Sequence, residues 1–289
     1  MIDGAFDAHK ILSSADSALY IAKDGGRNRV SFIQPDEDTV AKLSKTNQLV
    51  TQIKNALRED NFIIYFQPVI SMDGERIMHH EVLLRLRDQD GKIILPGQFI
   101  PVAERFGLMP QIDRWVVQST LAALLQYPDL RPFINLSGTS LGDEALLEFI
   151  EKSIQESGAD PSRIGFEITE TAAVKDVTLA KKWIRRFKNL GCRFALDDFG
   201  IGFSSFSYLR FLPVDYLKID GTYIRDMDKD FTHRALVKAM NAVAHALGKK
   251  TIAEFVENKE VMKSLQELQV DYGQGYYIGK PGPHPEGIE

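Results

Sequence analysis

From about residue 61 the chain alternates between two hydrophobic periods: short apolar runs with period two, and longer segments with apolar positions three and four apart. "FIIYFQPVI" (62–70) and "RIMHHEVLLRLR" (76–87) read as strands joined by the hairpin-like turn "SMDGE". Helical spacing follows at 97–106 and 110–127. The strand "PFINLS" (132–137) precedes a helix near 142–157. "RIGFEIT" (163–169) precedes a helix over 173–190, with Val177, Ala180, Trp183, Ile184, Phe187 and Leu190 on one face. "RFALDD" (193–198) leads into a short helix near 203–211, and "VDYLKID" (214–220) into a helix over 231–247. "KTIAEF" (250–255) leads into a helix over 258–267, and "VDYGQGYYI" (270–278) closes the series. Repeated βα units with apolar strands predict a parallel sheet. Roughly eight strands in this length favour an α/β fold of the modified TIM (β/α)8 barrel type over an open sheet. The opening hairpin predicts one antiparallel strand.

The first sixty residues break this rhythm. Residues 5–33 read as one helix ending at Gly25-Gly26 and one strand, "RVSFI". One helix and one strand cannot bury a core, so this piece reads as the tail of an upstream domain. Val40, Leu43, Leu49, Val50, Ile53 and Leu57 have helical spacing and predict a connecting helix. The expected organisation is therefore a remnant at 1–34, a linker helix at 35–59 and a barrel at 60–289.

Composition narrows the classes. Of 289 residues, 44% are hydrophobic and 26% charged, an ordinary globular balance. No run reaches the roughly 18 apolar residues of a membrane span. The start "MIDGAFDAHK" lacks a signal-peptide pattern. Cys192 is the single cysteine, which excludes a disulfide framework and a cysteine zinc site. These features predict a cytoplasmic fragment, whatever anchors a longer protein. A net charge of −5 argues against polymeric nucleic acid as a partner.

The informative polar residues sit at strand ends. Glu81, Asn135, Glu167, the pair Asp197-Asp198, Lys218 with Asp220, Glu254 and Gln274 come from separate segments but share one structural position. In a barrel that position is a single mouth, where barrel enzymes do their chemistry. Five carboxylates against one lysine need a compensating charge. All-oxygen donors suit hard divalent cations, and an aspartate such as Asp197 can bridge two of them at about 3.5–4 Å. A lone strand-end carboxylate is usually a cap or a surface ion pair; five on one mouth are not. "DFG" at 198–200 lacks the other kinase motifs, and "KDGGRN" lacks the ending of a P-loop. Only one of His79 and His80 can share the face of Glu81.

The residues "YFQPVI", "EVLLRL", "INLS", "FEITE", "LDDFGIGFSSFSYL", "LKID", "AEFVE" and "QGYYIGKP" resemble the EAL family of cyclic di-GMP phosphodiesterases, over about residues 45–282. Residues 6–33 resemble the last helix and strand of a GGDEF domain without its signature loop. The resemblance implies metal-dependent hydrolysis of cyclic di-GMP to linear pGpG, with two Mg²⁺ or Mn²⁺ ions per site. It matches Glu81, Asn135, Glu167 and Asp197 to a first metal, and Asp197 with Asp198 to a second. Lys218 and Glu254 match residues that position or deprotonate the attacking water, and Gln274 a polar residue near it. Gln67, Leu83, Arg85, Asp220, Glu257, Tyr276 and Pro281 match substrate-binding positions. Glu170 matches the anchor of the loop after the two aspartates, which couples the site to a homodimer interface. The implied full-length protein carries upstream GGDEF and sensory domains. Val82, Ile201 and Phe255 depart from the family pattern, Phe255 standing where a glycine is usual. The alternative is a receptor that binds cyclic di-GMP without cleaving it. A purely structural dimerisation domain would not need five carboxylates at one mouth.

Overall fold

A computed structural model of the chain describes residues 37–73, 76–201 and 206–287. The expected helix and strand of residues 5–33, and with them the GGDEF resemblance, lie outside the described residues.

Eight strands close a barrel: β1 (Phe62–Ser71), β2 (Ile77–Arg87), β4 (Pro132–Asn135), β5 (Gly165–Thr169), β6 (Arg193–Phe199), β7 (Tyr216–Ile219), β8 (Lys250–Ala253) and β9 (Tyr272–Gly273). A two-residue strand, β3 (Ile93–Ile94), pairs with the far end of β2. The antiparallel strand is β1, which runs against both β2 and β9. The β2–β4, β4–β5, β5–β6, β6–β7, β7–β8 and β8–β9 pairs are parallel.

Capping chemistry fixes the helices that wrap the barrel. Asp143 accepts the Leu146 N–H at 3.0 Å and starts the helix Glu144–Ser157, which ends at Gly158 with φ +69°. The expected helix over 173–190 is two helices, Glu170–Lys175 and Val177–Leu190. Asp176 separates them because its carboxylate accepts from Leu179 N at 2.9 Å and caps the second. That second helix buries Ala180, Trp183, Ile184 and Phe187 against the sheet. Phe187 stacks on Phe166 of β5 with ring centroids 4.5 Å apart. Fully burying such side chains makes each worth about 3–5 kcal/mol against alanine.

The helix Glu37–Glu59 spans the expected linker. Its second half is not a free spacer: Ile53 and Ala56 are buried in the barrel's own core. The closing run is mostly irregular, since only Tyr272–Gly273 of residues 270–278 is strand. Gly275 explains why. A Cβ there would lie 2.2 Å from Val256 N and O, so the chain must leave the sheet to pass that backbone. Residues 221–224 form a short helix that hydrophobic spacing does not announce. No helix among the described residues is long and apolar enough to cross a membrane.

Candidate active site

The parallel register delivers the strand-end polar residues to one mouth. Asn135 pairs with Glu167, Glu167 with Ala195, and Thr169 with Asp197 around adjacent strands. Lys218, fully buried, is the hub. Its Nζ lies 2.6 Å from Glu167 Oε2 and 3.1 Å from each of Glu81 Oε2, Asp197 Oδ1 and Glu254 Oε1. One ammonium thus serves four carboxylates. Asn135 Nδ2 donates to Glu81 Oε1 at 2.7 Å, and Gln274 Nε2 donates to Glu81 Oε2 at 2.6 Å.

The adjacent aspartates reach the mouth by an irregularity. In a regular strand Asp197 and Asp198 would point to opposite faces. The β6–β7 register shifts between Leu196 and Phe199, and Asp198 adopts φ +57°. This bulge turns both toward the mouth, where oxygens of Asp197, Asp198 and Glu254 all lie within 4.8 Å of one another.

Burial sets the electrostatics. It raises the Asp197 carboxyl above its usual range against the pull of Lys218. Burial, with Asp197 and Asp220 nearby, pushes Asp198 up to about 6. Burial also pushes Glu254 up to about 8, against the pull of Lys218. Glu167 is held well above the ordinary carboxylate range for the same reason. Glu81 goes the other way: burial opposes its charge, but Lys218, Gln274 and Asn135 hold it below the usual value. Buried Glu167 Oε1 has no hydrogen-bond partner. An excess of oxygen donors, an orphaned carboxylate oxygen and like charges in contact form a set that hard divalent cations complete.

The remaining expected residues divide into two groups. Gln67 joins the hub, accepting from Gln274 Nε2 at 3.1 Å and donating to the Gly279 carbonyl at 3.0 Å. Arg85 is buried, donates through Nη1 to the Leu84 carbonyl at 2.8 Å and lies over the Tyr65 ring at 5.1 Å. Asp220 caps the helix Gly221–Ile224 through Thr222 N at 2.8 Å. Leu83 is half-buried in β2, and Pro281 precedes Gly282, which pairs with Phe66 of β1. Glu257 and Tyr276 are exposed and stand outside the hub. Glu170, buried, accepts the Gly200 N–H at 2.8 Å and the Tyr208 hydroxyl, and so ties together the two sides of 202–205. His79 rather than His80 shares the face of Glu81. It is buried against Phe133, and burial lowers it to about 3. Cys192 is buried and its thiol is pushed up to about 12, which leaves it inert.

The EAL domain model matches residues 50–281. This chain belongs to the EAL domain family. Cyclic di-GMP phosphodiesterase PdeB of Shewanella oneidensis is 38% identical over 282 residues, covering 96% of this chain and 33% of that protein. The chain therefore spans about a third of that relative's length. Among solved structures, the FimX EAL domain from Pseudomonas aeruginosa bound to c-di-GMP superposes with a TM-score of 0.77 at 31% identity, over 82% of this chain and 97% of that one. The PaMucR phosphodiesterase in complex with c-di-GMP gives 0.77 at 30% identity, over 83% and 98%.

Two features of the EAL site escape hydrophobic patterning. The bulge is one. The other is Phe255, which takes φ +52° immediately after Glu254 and lays its ring on Gly221, under the Arg225 guanidinium at 4.2 Å. A left-handed conformation explains why glycine suits this position and marks Phe255 as strained.

Proposed function

We propose that the chain hydrolyses one phosphodiester bond of cyclic di-GMP to give linear pGpG. The observation that carries this reading is the hub: four carboxylates converge on Lys218 at 2.6–3.1 Å at the C-terminal mouth of an EAL barrel. Relatives with this domain are named as cyclic di-GMP phosphodiesterases.

Glu81, Asn135, Glu167 and Asp197 would hold one divalent cation, and Asp197 with Asp198 a second. When bound, such cations, Mg²⁺ or Mn²⁺, supply Lewis-acid charge that acidifies water and neutralises the phosphate. The chain's own residues do the rest. Glu254, whose ionised form Lys218 and bound cations would favour, takes the proton of the attacking water. The water oxygen bonds to phosphorus as the bond from phosphorus to the 3′-oxygen breaks, and that oxygen takes up the proton that Glu254 received. Gln274 and Asn135 fix both oxygens of Glu81, which keeps the donor set rigid. Arg85 spends only part of its fork on Leu84 and offers its remaining N–H groups to a substrate phosphate. Gln67, Leu83, Asp220, Glu257, Tyr276 and Pro281 would border the guanines.

In the same reading residues 1–34 end a GGDEF domain, the fragment is cytoplasmic, and the chain pairs as a homodimer whose geometry reaches the aspartates through Glu170 and Gly200. The second reading, a receptor that binds without cleaving, has in its favour the similar FimX EAL domain bound to c-di-GMP. Chromatography after incubation with cyclic di-GMP and Mg²⁺ or Mn²⁺ separates the two. Appearance of pGpG, blocked by chelator, supports hydrolysis. Intact nucleotide alongside a ligand-induced melting shift supports the receptor.

A further inference from the structure

We propose that the N-terminal mouth of the barrel is a second ligand site, built to hold a phosphorylated small molecule. Four arginines stand where four neighbouring strands begin. Arg76 precedes β2, Arg131 precedes β4, Arg163 precedes β5, and Arg193 opens β6. Parallel pairing brings them together, since His80 pairs with Pro132 and Gly165 with Arg193, and the His80 N–H donates to the Arg131 carbonyl at 2.9 Å. The arginines line a cavity of about 640 Å³ in which Asp129 and Asp160 are the acidic members. Four cations therefore face two anions, in a chain whose net charge is −5.

Neither acid forms a direct ion pair with a rim arginine among the described residues, and two acids leave the four arginines in excess. Asp160 spends its oxygens on Ser162, one on the backbone N–H at 2.9 Å and the other on the hydroxyl at 2.8 Å. Two of the arginines are committed elsewhere. Arg163 donates to the Leu130 and Tyr127 carbonyls at 2.8–3.2 Å, which stiffens the rim. Arg193 lies 3.6 Å from Asp215. The guanidinium groups of Arg76 and Arg131 have no partner among the described residues. Each offers a planar fork of five N–H donors that matches phosphate oxygens two at a time.

A third observation points to a compact ligand and not to an extended polyanion. His79 lines the same cavity, is 3% exposed, and leaves Nε2 without a hydrogen-bond partner. Its ring stacks on Phe133 at 4.0 Å between centroids and lies beside Tyr216 at 5.9 Å. Buried polar atoms in folded proteins are normally satisfied, so this orphan marks the floor beneath the arginine rim as incompletely partnered. The volume lies within the usual range of small-molecule sites.

Isothermal titration tests this with two probes, sodium pyrophosphate and AMP, at fixed ionic strength and without added divalent cation. The proteins are the full chain, the exposed-residue double variant Arg76→Ala/Arg131→Ala, and Asp197→Asn at the opposite mouth. Saturable one-to-one binding is expected in wild type and in Asp197→Asn, weakened at least about tenfold in the arginine variant. Tighter binding of AMP than of pyrophosphate assigns a ring to the space beside His79; equal binding assigns phosphate alone. Absence of saturable binding overturns the proposal. So does binding that survives the double arginine change, or binding lost in Asp197→Asn instead. None of these results depends on whether the C-terminal mouth cleaves cyclic di-GMP.

Discussion

The two mouths of the barrel are made by the same device and carry opposite charge. Parallel register collects Glu81, Glu167, Asp197 and Glu254 at one end and Arg76, Arg131, Arg163 and Arg193 at the other. They differ in water. The arginine rim is largely solvated, so like charges there cost little. The carboxylates are buried or half-buried, and loss of water drives most of them above their usual range despite Lys218. Where water is excluded, like charges persist only around a counter-charge. The acidic mouth therefore needs cations, while the basic mouth can exchange its solvent for an anion.

The largest expected effect is catalytic. Asn135→Ala, which removes a donor to Glu81 and an expected metal ligand, should slow cyclic di-GMP hydrolysis by roughly 10²–10⁴-fold, the several kcal/mol such charge stabilisation supplies. Steady-state turnover reads it, and a rate within threefold of wild type would break the assignment. Next comes stability. Lys218→Met leaves buried carboxylates unpaired and should cost about 3–5 kcal/mol in urea unfolding with chelator present. Arg131→Met, at the solvated mouth, should stay within about 0.5 kcal/mol. Equal effects would erase the distinction between the mouths.

A smaller effect is expected with pH. Asp198 and Glu254 bind protons more tightly in the folded chain, near 6 and 8, than in an unfolded chain near 4. Between those limits the folded state holds more protons, so raising pH strips them at a cost and stability falls. In chelator the melting temperature should therefore decline from about pH 4 to about pH 8 and level off above. Mn²⁺ should flatten the decline, because it stabilises the ionised forms. A melting temperature that rises over this range would contradict the burial argument. The smallest effect belongs to Phe255→Gly. Relief of the left-handed φ offsets the lost ring contacts with Gly221 and Arg225, leaving a net change within about 1 kcal/mol by thermal unfolding.

Much of the barrel was legible because apolar runs must pack somewhere, and their spacing distinguishes strand from helix. The convergence of Glu81, Asn135, Glu167 and Lys218 followed from the fold class alone. Other features were hidden for physical reasons. Asp176 looks like a tolerable residue within a helical stripe, but it stops one helix and caps the next. Period two assigns Asp197 and Asp198 to opposite faces, and only the bulge brings both to the mouth. The strand expected over 270–278 shrinks because Gly275 must pass Val256, a contact distant in sequence. The arginine rim is invisible in the sequence because its members lie outside the apolar runs, and only barrel closure makes them neighbours.

Hydrolysis is expected to belong to the acidic mouth alone. Cyclic di-GMP turnover to pGpG, measured with Mn²⁺ on Asp197→Asn and Arg131→Ala under the same conditions, tests it most directly. At least about a hundredfold loss is expected in Asp197→Asn and an unchanged rate in Arg131→Ala. A wild-type rate in Asp197→Asn would contradict it.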